Sequence, residues 1–544
     1  MKNKFHRYIP LILIILLSVF LYFFKINNIP NGVYSDEATV GYNAFSILQT
    51  GKDEYGKSFP LAFRFFGAYT PPLYIYLIVP LIKFLGLNEL SLRLLSGIST
   101  LFGIFVVYSL AKDLKIFKSS AVPFLLAFLF AICPWVVFNA RLGYEVTLGY
   151  ILFSLGAFFI WKGISQKSFS ALGLLILSIS TYAAHTERFL VPFFLIFVLF
   201  FYRKEVLSFI RSKKFPITLL LLVITQIPNF ILLFTKAFWV KNNVFEGINI
   251  AGILTDFFSQ YLTYISPSGL FGISKDINLQ HTIPLLAPFY SWLIIPFFIG
   301  LYVLWTKRNS LSGKYIFILL VTSPIPGSLS GHFISIQRIL PIIIPIFLVM
   351  GLGFDILIKK VSKYILVPAL ILLSLFSLLM LWRSYFIFLP KENATWWSYG
   401  YSQIANIVKQ HPSQTFVFDN SRLPPAYMSF LYHLQYSPQE FQKQFSPEFV
   451  DSYYSNPPYN PNYKIANVDI RPIVWETDTL IDQILIGDTL AISEEQAKDH
   501  FLTKIIDVKD PLGNSIFIGY QTDPAKKIAD NARKKALLLR SNTR

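Results

Sequence analysis

The feature that most constrains this chain is a succession of apolar runs, each near the length of a membrane-crossing helix, separated by short loops rich in Lys and Arg. The runs are Ile9–Phe24, Ser91–Ala111, Ala121–Phe138, Val146–Trp161, Phe169–Ala184, Phe189–Tyr202, Ile217–Phe234, Ala287–Trp305, Tyr315–Ser330, Ile339–Ile358 and Ile365–Trp382. A helix needs roughly 20 apolar residues to cross hydrocarbon, so several runs are a little short and their boundaries soft. With 54% hydrophobic and 14% charged residues, the chain fits no soluble class. An α-helical polytopic membrane protein follows. The net charge of +18 alone would suit nucleic acid, but the cations sit between apolar runs and no nucleic-acid partner is implied.

The cations set the topology. One further run, Leu73–Leu85, opens after Pro71-Pro72, contains Pro80 and Lys83, and is short. If it lies at the interface, the dense loops Lys112–Lys118, Lys162–Lys167, Arg203–Lys214, Lys307–Lys314 and Lys359–Lys363 all face the cytoplasm. If it crosses, they all face outward. The first choice gives about eleven spans, with the N-terminus inside and the C-terminus outside. Two helices between residues 71 and 111, with one later span missed, remain the alternative. Lys2, Lys4 and Arg7 before the first run resemble a signal peptide, but no small-x-small cleavage pattern follows, so this span reads as uncleaved. The one cysteine, Cys133, allows neither an internal disulfide nor a cysteine metal site.

Composition changes after Pro390. Residues 1–390 read as a transmembrane domain with a first outer loop at 25–72, and residues 391–522 as a small extracytoplasmic α/β domain. Within the latter, Thr415–Phe418 and Gln483–Ile486 read as strands, Ser402–Lys409 and Glu494–Lys498 as helices, and Ile505–Val508 with Ser515–Tyr520 as a hairpin. Tyr453–Tyr463 reads as loop. Residues 523–544 form a basic, helix-prone tail suited to anionic lipid.

This topology gathers carboxylates, His and Arg on the outer side. Asp36-Glu37 opens a helical stretch, Glu37–Gln49, that ends at Gly51 and would lie on the membrane surface. Asp36 is either a simple N-cap or a general base toward a hydroxyl. Arg141 and Glu145, four apart, either pair with each other or contribute to a carboxylate site. His185, Glu187 and Arg188 sit where spans meet the outer face, where His and Arg so near hydrocarbon need a partner: either a phosphate at headgroup depth, or simple headgroup contact or mutual pairing among the three. Arg93, His281, His332 and Arg338 lie near outer span ends, where each alone is more often structural. The loop Tyr261–His281 is long and aromatic enough to cover a lipid-linked substrate. No Walker A loop, GxGxxG, HExxH or CxxC is present, so nothing points to ATP-driven transport or a cytoplasmic nucleotide-sugar site.

Seven segments in order, SDEATVGYNA, PPLYIYL, NELSLRLLSG, PWVVFNARLGYE, YAAHTERFLVP, YLTYISPSGLFG and SPIPGSLSGHFISIQRILP, resemble the GT-C superfamily of lipid-carrier-dependent glycosyltransferases. The likeness is to the protein O-mannosyltransferase and aminoarabinose-transferase families (glycosyltransferase family 39-like). It implies a GT-C fold and inverting transfer of a hexosyl or pentosyl group from a polyprenyl-phosphate donor. The acceptor, on the outer side of the plasma membrane, is unspecified: protein, lipid or glycan. It implies Asp36 as base, Glu37 as its acidic companion and Glu145 as the acidic residue of the second outer loop. Arg93 would support the site, with Arg141, His185, Arg188, His281 and Arg338 around lipid phosphate or sugar. Some relatives carry Lys where this chain has Thr70, which leaves the phosphate to Arg188, Arg338 or Arg64. No cofactor or dedicated metal site is implied, although Asp36, Glu37, Glu145 and His281 leave a divalent cation open. A secondary transporter or lipid flippase is the alternative, but it would place ionisable groups near mid-membrane in paired repeats. A non-catalytic scaffold for the exterior domain is a third reading.

Overall fold

The computed structural model describes residues 8–239, 250–273, 281–329, 335–422 and 425–541. The apolar runs form helices because a helix satisfies its own backbone groups, while prolines and glycines set where each begins and ends. In chain order, α1 spans Ile9–Phe23 and α2 Ser35–Thr50. A short antiparallel hairpin follows, β1 (Phe63–Phe65) and β2 (Ala68–Thr70), with Arg64 opposite Tyr69. Next come α3 (Leu73–Leu85), α4 (Glu89–Asp113), α5 (Val122–Ile132), α6 (Pro134–Ala140), α7 (Val146–Ser165), α8 (Ala171–Ser180), α9 (His185–Phe201) and α10 (Phe215–Leu233). The helical region continues with α11 (Ile294–Thr306), α12 (Leu311–Thr322), α13 (Ile343–Lys360) and α14 (Lys363–Leu381).

Five helical stretches among the described residues have the length and apolarity to cross a membrane. They are α4, α7, α10, the continuous stretch Ile336–Lys360 that contains α13, and Lys363–Glu392, which starts with α14. The α5–α6 pair makes a sixth if its 58° bend belongs to one span. The sequence leads to about eleven. The difference has local causes. Pro134 breaks the run Ala121–Phe138 in two. Phe169–Ala184 yields only ten helical residues before a turn, and α12 stops at Thr322, ahead of Pro324 and Pro326.

Contacts divide the chain into two units. The first comprises Met1–Asn27, Phe59–Phe388 and Ser452–Asn456, and the second Asn28–Ser58, Leu389–Asp451 and Pro457–Arg544. In the first, the Ile336–Lys360 stretch is innermost, with 94% of its apolar window buried. The corresponding shares are 78% for α7 and 61% for α4, against 17% for α10 and 11% for the α14 stretch. The last two therefore present apolar flanks outward. Helices α11 and α13 approach closely because each supplies a glycine. A Cβ on Gly300 would come 1.9 Å from the Val349 carbonyl oxygen, and one on Gly353 1.9 Å from that of Pro296. Small residues at such contacts let backbones meet where no hydrophobic drive favours association.

The second unit is built on a six-stranded sheet. Its strands are β3 (Phe416–Phe418), β4 (Tyr463–Ile465), β5 (Val468–Ile470), β6 (Ile484–Gly487), β7 (Thr503–Lys509) and β8 (Ser515–Gln521), in the spatial order β4-β5-β3-β6-β8-β7. Strand β3 is parallel to both neighbours, β5 and β6, and the remaining pairs are antiparallel. Val417, Leu485, Ile492 and Tyr520 pack together on the sheet. Helix α15 (Ala426–Leu434) is almost wholly buried, and the chain closes with α16 (Pro524–Ser541). Residues Asn28–Ser58 are stitched into this unit. The Tyr42 hydroxyl donates to the Tyr436 carbonyl at 3.0 Å, the Tyr55 and Tyr427 hydroxyls meet at 3.1 Å, and Asn31 donates to the Pro390 carbonyl at 3.3 Å.

Candidate functional site

The second unit carries Asp36 and Glu37. Helix α2 starts at Ser35, two residues earlier than the sequence pattern suggests, with Tyr34 in the N-cap position and no side-chain cap. Asp36 is therefore not the N-cap but lies inside the first turn, where the free N–H groups and the helix dipole favour its negative charge. The Tyr34 hydroxyl donates to Asp36 Oδ2. Asp36 is half-buried, whereas Glu37 is 0% exposed. The helix does not rest on one apolar face. Buried residues run unbroken from Glu37 to Ala44, and exposure is confined to Ser35 and Asp36 at the start and to Phe45, Leu48 and the last turn. It ends at Gly51 in the left-handed region, φ 69°, where a glycine carries no Cβ penalty.

The first unit carries the other candidates, and the hairpin brings two together. Thr70 on β2 donates its hydroxyl to Glu145 Oε1 at 2.9 Å. The neighbouring Tyr69 carbonyl accepts from His185 Nε2, so that nitrogen bears a proton. The hairpin is anchored in turn by Ser452–Asn456, since the Tyr453 hydroxyl accepts from the Arg64 N–H at 2.7 Å and the Tyr69 hydroxyl donates to the Tyr453 carbonyl. Thr70 thus holds a carboxylate. Glu187 adds a second carboxylate near Glu145. A Cβ on Gly149, one turn after Glu145, would meet Glu187 Oε2 at 2.5 Å, and that oxygen is buried without a hydrogen-bond partner.

Arg93 and Arg141 turn toward the C-terminal end of α1. Arg93 Nη1 donates to the Ile26 carbonyl at 2.8 Å, and Arg141 donates to those of Leu21 and Phe24 at 2.9 and 2.7 Å. The last carbonyls of a helix have no partner of their own, and the two guanidinium groups supply donors there. The Arg141 guanidinium also lies over the Tyr385 and Phe386 rings, 5.3 and 5.1 Å from their centroids.

Arg188 differs from both. It is 5% exposed, its three guanidinium nitrogens have no hydrogen-bond partner, and it lies 4.9 Å from the Phe238 ring centroid. His281 is held neutral, because burial, and then the charge of Arg338, push its pKa down to about 4. It therefore offers hydrogen bonds but no positive charge to a phosphate near neutral pH. Arg338 lies in the turn leading into α13, and its carbonyl accepts from Thr186 at 3.4 Å. Tyr261 and Tyr264, expected in a covering loop, belong to a helix, Ile250–Tyr264. His332 and residues 274–280 lie outside the described residues. Among the described residues no three His, Cys, Asp or Glu side chains form a group that could hold a metal ion.

Sequence reasoning missed the roles of Tyr34, Tyr69 and Thr70. Their only signal was position, beside Asp36 for the first and before the PPLY stretch for the others. It also gave Glu187 no separate role.

No family model and no curated protein sequence matches the chain. Its fold does match solved structures. ArnT from Cupriavidus metallidurans bound to undecaprenyl phosphate aligns over 94% of this chain and 97% of its own, with a TM-score of 0.55 and 12% identity. The apo form of the same protein aligns over 95% and 98%, with a TM-score of 0.54 and 12% identity. The archaeal oligosaccharyltransferase AglB from Archaeoglobus fulgidus, in complex with an inhibitory peptide and a dolichol-phosphate, covers 96% of this chain and 74% of its own, with a TM-score of 0.49 and 12% identity. The fold expected from the ordered motifs, that of the GT-C glycosyltransferases, is the fold found.

Proposed function

We propose that this chain is an integral-membrane glycosyltransferase that moves a sugar from a polyprenyl-phosphate carrier to an acceptor on the outer side of the plasma membrane. The observation that carries this reading is a fold shared, over nearly all of both chains, with ArnT captured on undecaprenyl phosphate.

The chemistry is a single displacement. The acceptor oxygen or nitrogen forms a bond to the anomeric carbon as the bond from that carbon to the phosphate oxygen breaks. The electron pair leaves with the polyprenyl phosphate, the acceptor's proton passes to a base, and in-line attack inverts the anomeric centre. A phosphate is a good leaving group, so no strong general acid is required, in contrast to glycoside hydrolysis. The scheme uses no metal.

In this reading Asp36 is the base. Its half-buried carboxylate in the first turn of α2 is reachable by an acceptor, and the Tyr34 hydroxyl fixes its orientation. Glu37, fully buried, shapes the turn that presents Asp36. Glu145, held by Thr70, and His185, held by the Tyr69 carbonyl, act as preset hydrogen-bonding groups for the sugar. Arg93 and Arg141 position the end of α1. The growing phosphate charge falls to the remaining cations, Arg188, Arg338 and Arg64.

The test is transfer in proteoliposomes supplied with polyprenyl-phosphate sugars. Asp36→Asn is expected to lower the rate by about 10²–10⁴, the range for loss of a general base. Undiminished transfer in that variant would sink the base assignment. A reporter fused after Lys115 checks the sidedness, since an exported signal there reverses the topology.

A further inference from the structure

A cavity of about 310 Å³ lies where the ends of α9 and α11 meet the start of α12. Its floor is apolar, with Phe201, Leu304, Phe317 and Leu320 among the lining residues, and its mouth carries Arg308 and Lys314. The turn between α11 and α12 fixes that mouth. Ser310 caps α12 by accepting from the Gly313 N–H at 3.0 Å, and a Cβ on Gly313 would come 2.2 Å from the Lys307 carbonyl oxygen, so the turn closes too tightly for a side chain there. The Tyr202 hydroxyl, just past α9, donates to the Leu311 carbonyl at 2.7 Å and ties the turn to the third wall. Helix α9 runs from His185 to Phe201, about 24 Å at 1.5 Å per residue, so the cavity sits at the opposite end of that helix from His185 and Arg188.

The two cations are not used up by the protein. No salt bridge among the described residues involves either one. Arg308 lies against the Trp305 ring, 4.6 Å from its centroid, and Nη1 donates to the Trp305 carbonyl at 3.0 Å. A guanidinium has five N–H donors, so most of its capacity stays open. Lys314 is half-buried and makes no side-chain hydrogen bond among the described residues. A cation so near apolar surface gains from a counter-ion. An occupant that matches both parts of the cavity has a phosphodiester at the mouth and acyl chains on the floor. A zwitterionic headgroup would bring its own ammonium to two cations with no carboxylate to receive it, so charge favours a lipid of net negative charge.

We propose that this cavity binds an anionic glycerophospholipid of the bilayer, its phosphodiester held by Arg308 and Lys314 and its acyl chains laid over Leu304, Phe317 and Leu320, as a fixed lipid that joins α9, α11 and α12. The site is separate from that of the sugar carrier and does not rest on the glycosyltransferase reading. Its leaflet, the cytoplasmic one, follows from the topology in which Lys307–Lys314 faces inward. A cavity of this size takes the headgroup and the first methylenes, and the rest of the acyl chains stays in the bilayer.

The experiment is native mass spectrometry of the full chain released from nanodiscs that mix phosphatidylcholine with increasing phosphatidylglycerol, reading the phosphatidylglycerol retained per chain. Arg308→Gln and Lys314→Gln are each expected to weaken retention about fivefold and together about 25-fold, the scale of one basic residue facing an anionic lipid. Leu301→Trp, which fills the cavity and keeps both cations, is expected to weaken retention comparably to one of them, and it carries the test if the double variant fails to fold. Arg211→Gln with Lys213→Gln removes two exposed cations from another Lys/Arg-dense loop and is expected to leave retention unchanged. Retention equal to wild type in the Arg308→Gln/Lys314→Gln and Leu301→Trp variants overturns the proposal. An equal loss in the Arg211→Gln/Lys213→Gln variant also overturns it, since the lipid would then be held by surface charge at large. So does equal displacement of phosphatidylglycerol by phosphatidylcholine, by undecaprenyl phosphate or by inorganic phosphate, because the cavity would then not select an anionic glycerophospholipid.

Discussion

At the scale of single residues, Asp36 and Glu37 separate although they are adjacent. Successive residues on a helix point about 100° apart, so one carboxylate can open outward while its neighbour is enclosed. Glu37 is 0% exposed and Asp36 only half-buried. Glu37→Ala, which removes a buried carboxylate and leaves its partners unsatisfied, is expected to lower stability by about 1–3 kcal/mol. Asp36→Asn is expected to leave the thermal midpoint nearly unchanged while reducing transfer. A Glu37→Ala variant that melts with wild type would show that Glu37 does not shape the turn. Thr70→Val is the second test at this scale. It takes the hydroxyl from Glu145 Oε1, a bond to a charged group, and is expected to cost about 1.5–3 kcal/mol, with Thr70→Ser restoring most of it. The sequence shows that Asp36 and Glu145 are candidates, because carboxylates at the ends of apolar runs stand out. It does not show their partners. Tyr34, Tyr69 and Thr70 are ordinary residues whose importance comes from what the folded chain places against them.

At the scale of elements, apolar pattern was enough to locate helices but not to measure them. Pro134 and the prolines after Thr322 interrupt apolar stretches whose composition gives no sign of a break in direction. The hairpin that positions Glu145 and His185 was less visible still. Its strands have three residues each, too few for an alternating pattern to emerge. By contrast, β7 and β8 have seven residues each around a Gly-containing turn and were legible. Close helix contacts leave a trace in the sequence only as glycines, and Gly149 is one whose removal has a defined outcome. A methyl group there would meet Glu187 Oε2 at 2.5 Å and the Ala184 Cβ at 2.9 Å. Gly149→Ala is expected to push α7 from the start of α9 and to destabilise by about 1–3 kcal/mol, as overpacking does. Thermal unfolding of the purified variant checks it, and a midpoint equal to wild type would mean that the contact yields without strain. Gly149→Ala combined with Glu187→Ala, which clears the obstructing carboxylate, is expected to recover part of the loss.

At the scale of the whole molecule, residues 25–72, expected to form one loop, divide between two units, and the sequence could not show this. Asn28–Ser58 joins the second unit through Asn31 to Pro390, Tyr42 to Tyr436 and Tyr55 to Tyr427, partners more than 350 residues away along the chain. Local pattern carries no information about such pairings. A pH dependence of stability follows from a histidine in each unit. Burial and the Arg338 charge hold His281 at about 4, and burial with the Lys409 charge holds His433 at about 4, against an ordinary value of 6.5. Between those values the unfolded chain binds a proton at each ring that the folded chain refuses, so stability rises with pH across that window. The contribution is fully present above 6.5 and is lost as pH falls toward 4. Asp478 behaves differently. Burial is the largest single influence and raises its pKa, but the hydrogen bonds from Arg471, the Val474 N–H and Gln483, together with the Arg471 charge, outweigh it and the carboxyl ends below its ordinary 3.8, so its contribution is lost only under more acidic conditions. The expected outcome is a thermal midpoint that falls already between pH 6.5 and 4, before carboxylate protonation dominates. His433→Gln is expected to flatten the part of that slope that belongs to the second unit, at some cost in stability at neutral pH. A wild-type midpoint that stays level down to pH 4, or a His433→Gln slope identical to wild type, would show that these rings take up protons without opening the fold.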